Sequence, residues 1–231
     1  MKEKTFALKG TICYSKTKDT LFTSADSYLV CEDGICAGVF PELPEKYKGI
    51  SIRDTGDSLI IPGLTDLHIH APQYSFRSVG MDMELLEWLD HIAFPEESKF
   101  SDLEYAKKSY SIFVNDVKRS ATTRLSAFGT LHVKATELLM NLMEETGLKA
   151  YIGKVNMDRN GPDTLQEKSA ADAKRDTIAW IEEVQDKYTN VKPILTPRFT
   201  PSCTDELMQE LGAIQKQYHL PVQSHLSENL S

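Results

Sequence analysis

From Leu64 onward, short strand-like runs alternate with longer amphipathic stretches, and this alternation limits the folds open to the chain. The runs occupy residues 64–70 (LTDLHIH), 122–128 (TTRLSAF), 150–157 (AYIGKVNM), 192–199 (KPILTPRF) and 220–226 (LPVQSHL). Residues 83–94, 102–119, 135–146, 169–188 and 205–218 carry apolar residues at the spacing typical of helices. Alternating β and α units predict an α/β fold with a parallel sheet, doubly wound or closed into a barrel. No GxGxxG or GxxxxGKS/T motif follows a strand, which weakens the nucleotide-binding interpretation.

The first 61 residues are instead rich in strand signals alone. FALKGTICYS (6–15) and DSYLVCEDGICAGVF (26–40) are strand-like, and Glu32, Asp33 and Gly34 predict a tight hairpin turn within the second run. SIRDTGDSLIIPG (51–63) predicts another pair of short strands. We therefore predict two domains: a small β domain at residues 1–61 and an α/β domain at residues 62–231.

Composition and charge narrow the classes of function. The chain has 231 residues, of which 41% are hydrophobic and 26% charged, as in an ordinary globular protein. Its net charge of -8 argues against a polyanionic partner such as DNA. The first residues lack a signal-peptide core, no run approaches the ~20 apolar residues of a membrane span, and the four cysteines form no CxxC pair. We expect a cytoplasmic protein with reduced cysteines that binds neither nucleic acid nor membranes.

The strongest chemical signal is the pair His68 and His70, at the end of the first strand-like run. Alternate side chains of a β-strand share a face, so both imidazoles point the same way. His225 ends another run of the same predicted sheet, and parallel α/β proteins place their chemistry at the carboxyl ends of strands. Three neutral imidazoles there can hold a divalent metal and leave a position open for water. A purely structural role for the pair is the alternative, and the remaining histidines (His91, His132 and His219) are assigned no role.

Further polar residues follow the predicted strands. Asp158 and Arg198 lie at two strand ends, and Glu228 comes three residues after His225. A turn of that length can bring the Glu228 carboxylate beside water at the metal, where it could accept a proton and pass it to a leaving group. The alternative for Glu228 is solvent exposure, the usual state of glutamate.

Three residues predict a site for a planar ring with a polar edge. The Arg198 guanidinium can donate to a substrate carbonyl, and the Phe199 ring can stack on a planar ring. Gln73 offers both a donor and an acceptor, which suits an amide-like ring edge. The alternative for Arg198 is an ion pair with an acidic surface residue.

Four segments together carry a family resemblance: PGLTDLHIHAPQYSF, KVNMD, VKPILTPRFTPSC and QSHLSEN. In this order and spacing, from about Ile60 to the end of the chain, they resemble the metal-dependent amidohydrolase superfamily and, within it, the guanine deaminase family. The resemblance implies a (β/α)8 TIM-type barrel with a β-sandwich side domain, to which residues 1–61 would contribute. It also implies hydrolysis of guanine to xanthine and ammonia by a homodimer that uses one divalent metal, zinc in most relatives and iron in some bacterial ones.

Residue by residue, the resemblance assigns His68, His70 and His225 to the metal. Gln73, Arg198 and Phe199 match purine-binding positions, and Glu228 matches a catalytic, proton-shuttling glutamate. Within this pattern, His70, His225 and Glu228 also face the purine. Dinuclear relatives carry a carboxylated lysine at the end of the fourth barrel strand, whereas the only lysine in KPILTPRF is Lys192 at its beginning, which favours one metal.

The chain departs from the family pattern at its end. Family members continue beyond the third ligand with three more βα units, a further histidine and an aspartate. We therefore expect a part of a longer polypeptide, with a remainder in a separate chain as the alternative. Alone, the five βα units are expected to bind metal weakly, to deaminate little or not at all, and to expose a sheet edge and apolar surface. The alternative functions are deamination of an adenine-like, cytosine or triazine ring, and a non-catalytic scaffold.

Overall fold

The computed structural model describes residues 4–228 and divides into two compact units, Met1–Gly63 and Leu64–Ser231. The first unit contains four strands: β1 (Phe6–Thr17), β2 (Thr20–Glu32), β3 (Ile35–Phe40) and β4 (Ser51–Ile60). They form one sheet in the order β3-β2-β1-β4, in which β1 runs antiparallel to β2 and parallel to β4. The unit presents a single sheet among residues 4–63, so the implied β-sandwich stays a prediction.

The predicted hairpin turn is confirmed. Glu32 pairs with Ile35, which leaves Asp33 and Gly34 as a two-residue loop. Both have positive φ, 52° and 84°, as the type I′ turns favoured between twisted strands require.

The predicted pair of short strands at residues 51–63 is wrong, because the segment forms the single strand β4. Its pairing with β1 jumps from Asp54 to Leu59, so the segment between them bulges out of the ladder. Within that bulge Asp54 Oδ1 accepts a hydrogen bond from the Gly56 N–H at 2.8 Å, and Gly56 adopts φ 58°. The turn residues therefore bend one strand instead of ending it.

The second unit is built from parallel strands. These are β5 (Leu64–His70), β6 (Thr122–Phe128), β7 (Lys149–Gly153), β8 (Val155–Asn156), β9 (Val191–Pro193) and β10 (Thr196–Pro197). The sheet has the order β5-β6-β7-β9, and β8 pairs with β10. Successive strands are therefore neighbours, without the reversal of order that marks a doubly wound sheet. This order decides between the two predicted topologies in favour of a barrel-type arrangement.

Within the described residues of this unit, six α-helices accompany the strands: α1 (Leu85–Trp88), α2 (Phe94–Ser98), α3 (Leu103–Arg119), α4 (Val133–Glu144), α5 (Ala170–Val184) and α6 (Asp205–Tyr218). The last four coincide with predicted helices to within a few residues. Asp102, Ser169 and Thr204 begin α3, α5 and α6 by accepting backbone N–H groups, as N-cap residues do. Their buried faces pack with strands β6, β7 and β9 in one core that contains Tyr110, Phe113, Leu139, Ile152 and Trp180. No helix in the described part of the chain is long and apolar enough to span a membrane.

The helix predicted at residues 83–94 is interrupted. Between α1 and α2 the chain forms a π turn, Leu89–Ala93, in which the Phe94 N–H bonds to the Leu89 carbonyl five residues earlier. Pro95 follows directly and has no N–H to give to the carbonyl of His91, so a regular α-helical bond is impossible at that step. The wider turn accommodates the proline and carries the chain on into α2.

The fifth strand, predicted at residues 220–226, is not a regular strand. Only two isolated parallel bridges form there, Leu195 with Val222 and Phe199 with His225. Among residues 4–228 this segment has a strand neighbour on one side only, so its other edge forms no backbone hydrogen bonds to a strand. Leu226 is 90% exposed. The segment nevertheless continues the strand order and places His225 beside the end of β10.

Glu144 supplies a prediction about stability. At the end of α4 its carboxylate accepts the N–H groups of Thr189, Asn190 and Val191 at 3.1, 2.8 and 3.0 Å. Burial alone would raise its pKa, but these hydrogen bonds outweigh it and lower the pKa below the usual value. Because the Glu144 pKa is lower in the folded than in the unfolded protein, its ionised carboxylate stabilises the fold at pH values above the unfolded-state pKa. This stabilisation is lost as the pH falls through the folded-state pKa.

We therefore expect Glu144→Gln to reduce the free energy of unfolding by about 1–2 kcal/mol at pH 7. Urea denaturation should show the gap between variant and wild type closing as the pH falls below about 4. Glu145→Gln, at the exposed neighbouring position, is the matched control. An equal loss in both variants, or a gap that persists in acid, would contradict the assignment.

Candidate metal centre and ring-binding pocket

Three imidazoles converge at the carboxyl ends of the strands. One ligand nitrogen from each of His68, His70 and His225 lies within 4.8 Å of the others. His68 and His70 reach the cluster from the end of β5, and His225 reaches it from the bridge beside Phe199. The predicted meeting of the three side chains is confirmed as geometry.

The tautomer of His225 is fixed by the main chain. Its Nδ1 lies 2.7 Å from the carbonyl oxygen of Arg198, which can only accept a hydrogen bond. Nδ1 therefore carries the proton in the neutral ring, and the lone pair of Nε2 is left to face His70. Metal-binding histidines are commonly oriented by such a bond through the other ring nitrogen.

Burial and neighbouring charges favour the neutral form of the other two rings. Burial lowers the pKa of His70 well below its usual range, and Arg198, His225 and His68 lower it further. Burial and His225 likewise lower the pKa of His68, although nearby Glu228 opposes them. Neutral imidazoles are the form that binds a metal.

These residues fit a divalent metal. The Nε2 atoms of His70 and His225 are 2.9 Å apart. Two imidazole nitrogens on a tetrahedral zinc ion would be roughly 3.3 Å apart, so the pair needs to open only slightly. Three nitrogen donors, without a fourth protein ligand in the described cluster, match the donor set of a catalytic site more closely than that of a structural one.

Phe128 orients two of these rings. At the end of β6 it pairs with His70 across the sheet, and the His70 ring stacks on it at 4.4 Å with 13° between the planes. The His225 ring lies 4.6 Å from the same phenyl group. Phe128 is fully buried, so it fixes and desolvates the imidazoles together. Phe128 is not among the residues predicted from the sequence, although its place at a strand end was a usable signal.

Gln73 and Arg198 meet through a buried residue that was not predicted from the sequence. Glu97, on α2, is only 2% exposed. It accepts hydrogen bonds from Gln73 Nε2 at 2.7 Å and from the two terminal nitrogens of Arg198 at 2.7 and 3.2 Å. Gln73 and Arg198, 125 positions apart in the sequence, are thus neighbours, and the alternative of a surface ion pair for Arg198 is excluded by its 3% exposure.

A cavity of about 480 Å³ opens next to the imidazoles. Phe199, His225 and Glu228 line it, together with apolar residues of the α1 and α2 region such as Leu89 and Phe94. Its volume falls within the range of small-molecule sites. Glu228 is exposed on its wall, close to the histidine cluster.

Asp158 is the predicted strand-end residue that the structure sends elsewhere. Its carboxylate accepts the N–H of Thr204 at 2.7 Å and the Thr204 hydroxyl at 2.6 Å. Thr204 is the N-cap of α6, so Asp158 supports the start of that helix. It takes no part in the cluster of imidazoles.

Comparison with known proteins gives matches that include several guanine deaminases. Residues 59–231 match the model of the amidohydrolase family. A guanine deaminase from Dictyostelium discoideum is 43% identical over 180 residues, which cover 78% of this chain and 40% of that protein. A guanine deaminase from Mus musculus is 40% identical over 185 residues, covering 79% and 41%.

A solved structure is similar along nearly the whole chain. The crystal structure of guanine deaminase from C. acetobutylicum, with guanine bound in its active site, superposes with a TM-score of 0.93 at 48% identity. The match covers 98% of this chain and 54% of that one. The chain therefore spans about 40% of the length of the curated relatives it matches and about half of this structure.

Proposed function

Because this chain belongs to the amidohydrolase family, a metal-dependent family, we propose that the protein containing it is a guanine deaminase that hydrolyses guanine to xanthine and ammonia. The observation that carries the proposal is the convergence of His68, His70 and His225 beside a cavity of ring-binding size. The likeness to several guanine deaminases, one with guanine in its active site, supports guanine as the ring.

In this proposal the three imidazoles hold one divalent metal, with zinc as the expected ion and iron as the alternative. A metal held there would supply Lewis acidity and lower the pKa of bound water to about 7, far below that of free water. His225 stays in the right tautomer because Arg198 accepts its Nδ1–H, and His70 stays in place against Phe128. The metal, like the roles of the individual residues, is part of the proposal.

The remaining residues would bind and orient the purine. Phe199, on the cavity wall, would stack on the ring. Arg198 and Gln73, which are both held by Glu97, would hydrogen-bond a polar ring edge. Such polar partners make an analogue that leaves them unpaired bind poorly. His70, His225 and Glu228 would face the same ring.

Glu228 would move the protons. Its carboxylate can take a proton from the attacking water and deliver it to the ring nitrogen next to the amino-bearing carbon. The same carboxylate can then take the second proton from the new hydroxyl group on that carbon and give it to the amine, so that the C–N bond breaks, the C–OH group becomes a carbonyl and ammonia leaves. Water is consumed, and xanthine and ammonia are the products.

The test of the function is ammonia release by the complete, metal-loaded protein across a panel of guanine, adenine, cytosine and a triazine. We expect guanine to be preferred, with xanthine formed in step with ammonia. Equal turnover of cytosine, or no turnover of any ring by a protein with full metal content, would overturn the proposal.

Glu228→Gln is expected to reduce kcat for guanine by roughly 100-fold, because the variant keeps the shape of the side chain and loses its ability to accept a proton. The metal content should not change. Both quantities can be measured on the same preparation, by xanthine absorbance and elemental analysis. Activity that survives the substitution would remove Glu228 from the mechanism, and metal lost with the activity would make it a ligand instead.

Assembly and compartment are also proposals. The family resemblance implies a homodimer. The cytoplasm is the compartment expected from the sequence, and the four free thiols in the described residues are compatible with a reducing compartment. The mass of the complete protein in solution tests the first of these.

A further inference from the structure

Glu97 is a buried carboxylate with an unusually complete set of donors. Both of its oxygens are used, one by Gln73 and Arg198 together and the other by Arg198 alone. An ionised carboxylate only accepts hydrogen bonds. Each polar side chain that hydrogen-bonds to the ionised Glu97 carboxylate must therefore act as the donor.

This requirement fixes the amide of Gln73. A free glutamine can present either its NH₂ group or its carbonyl oxygen to a ligand, because the two ends are nearly equal in shape. Beside Glu97 the NH₂ end must face the carboxylate, as the 2.7 Å contact records. The Gln73 carbonyl oxygen, which accepts no hydrogen bond within residues 4–228, is left as an acceptor for something else.

Glu97 fixes Arg198 in the same way and offsets its charge. It takes one N–H from each terminal nitrogen, and no other acceptor in the described part of the chain bonds the guanidinium. The remaining N–H groups of Arg198 are donors available to a ligand. Because the pair is buried, the local site carries one positive and one negative charge, and an uncharged ring creates no charge imbalance there.

The Gln73 amide and the Arg198 guanidinium bond the same Glu97 oxygen, so an oriented acceptor and an oriented donor belong to neighbouring side chains. They complement a ring edge on which a carbonyl oxygen and an N–H group are adjacent, which is a lactam edge. We propose that Glu97 is a positioning residue that makes the site select an uncharged ring with a lactam edge, by holding Gln73 as acceptor and Arg198 as donor. The inference deepens the proposed guanine deaminase function and rests on it for the identity of the ring.

The test compares two ligands that lack the amino group and so cannot be deaminated: hypoxanthine, which has the lactam edge, and unsubstituted purine, which does not. Their dissociation constants are measured by calorimetry on the complete, metal-loaded protein. For wild type we expect hypoxanthine to bind at least about tenfold more tightly than purine. In Glu97→Gln the ratio should fall toward one, because the Gln73 amide is free to turn and Arg198 loses its partner.

The kinetic signature should agree with the binding ratio. Glu97 acts through groups that hold the ring in both the ground state and the transition state, so KM for guanine should rise roughly 10- to 100-fold in Glu97→Gln with a smaller change in kcat. A residue that merely supported the fold would weaken both ligands alike and leave the ratio unchanged.

Two further variants keep the test decisive. Gln73→Met removes the acceptor without exposing a buried charge, so it should lower the same ratio even if Glu97→Gln fails to fold. Glu96→Gln is the matched control, because Glu96 precedes Glu97 on the same helix and bonds Lys99 and Tyr105 instead. The control should leave the ratio and KM at wild-type values.

The outcomes separate this inference from the proposed function. If wild type deaminates guanine and folded Glu97→Gln or Gln73→Met retains the wild-type ratio, the positioning role is wrong and the deaminase function stands. If wild type binds neither ligand and deaminates no guanine, the function itself fails. A lowered ratio in both variants, with the control unchanged, supports the role of Glu97.

Discussion

Replacing His70 with alanine is expected to remove the bound metal and to lower guanine turnover at neutral pH by at least roughly 10⁴-fold, because unassisted water ionises some nine pH units higher than water on a catalytic metal. Only the imidazoles of His68 and His225 would remain. The variant would lack the His70 Nε2 atom, which lies 2.9 Å from His225 Nε2. Elemental analysis of the purified, complete protein measures the metal, and the formation of xanthine measures the activity. Both should fall together.

His91→Ala is the matched control for this experiment. His91 is exposed and, within residues 4–228, its side chain bonds only the Glu87 carbonyl of its own helical turn, outside the imidazole cluster. Metal content and turnover should remain at wild-type values in this variant. A His70→Ala protein that keeps one metal per chain and deaminates guanine normally would show that the cluster is not the metal site.

The second large effect concerns stability. Lys154 lies between β7 and β8, is 2% exposed, and donates a hydrogen bond to Glu167. The same carboxylate also accepts bonds from Asn156 Nδ2 at 2.9 Å and from the Met157 N–H at 3.0 Å. Lys154→Met would leave this carboxylate buried without its counter-charge, so we expect the free energy of unfolding to fall by about 3–5 kcal/mol.

Urea denaturation of Lys154→Met measures this loss, and a surface pair provides the comparison. Lys174 forms a 2.7 Å ion pair with Glu210 on the surface, so Lys174→Met should cost less than about 1 kcal/mol. The double variant Lys154→Met with Glu167→Gln should recover part of the loss, because it removes the second charge and keeps an acceptor oxygen. If Lys154→Met and Lys174→Met lower the free energy of unfolding by the same amount, the buried Lys154–Glu167 pair contributes no more to stability than a surface pair.

The regular elements of the α/β unit were largely predictable because their signals are local. The helix predicted at residues 205–218 has those bounds in the structure, and β5 and β6 also end where the pattern predicts. The prediction of a regular strand at residues 220–226 was wrong, because a strand is defined by the strands it pairs with. The sequence of one segment does not show how many such partners it has. The π turn before Pro95 likewise depends on a hydrogen bond that the proline cannot make.

The candidate site likewise contains residues that could be predicted from the sequence and residues that could not. The cluster of His68, His70 and His225 followed from strand alternation and from the common edge of a parallel sheet. Glu97 gave no such signal, because its burial depends on Gln73 and Arg198, which lie 24 and 101 residues away in the sequence. Asp158 shows the opposite error, since a polar residue at a strand end can serve the cap of the next helix.

Arg198 serves the two halves of the site through different parts of the residue. Its carbonyl oxygen orients His225, and its guanidinium belongs to the pair with Glu97. Every amino acid brings the same carbonyl, so the orientation of the third imidazole does not depend on which side chain stands at position 198. The positions proposed to select the ring, 73, 97 and 198, could therefore change to accept another ring while the backbone contact that orients His225 is kept.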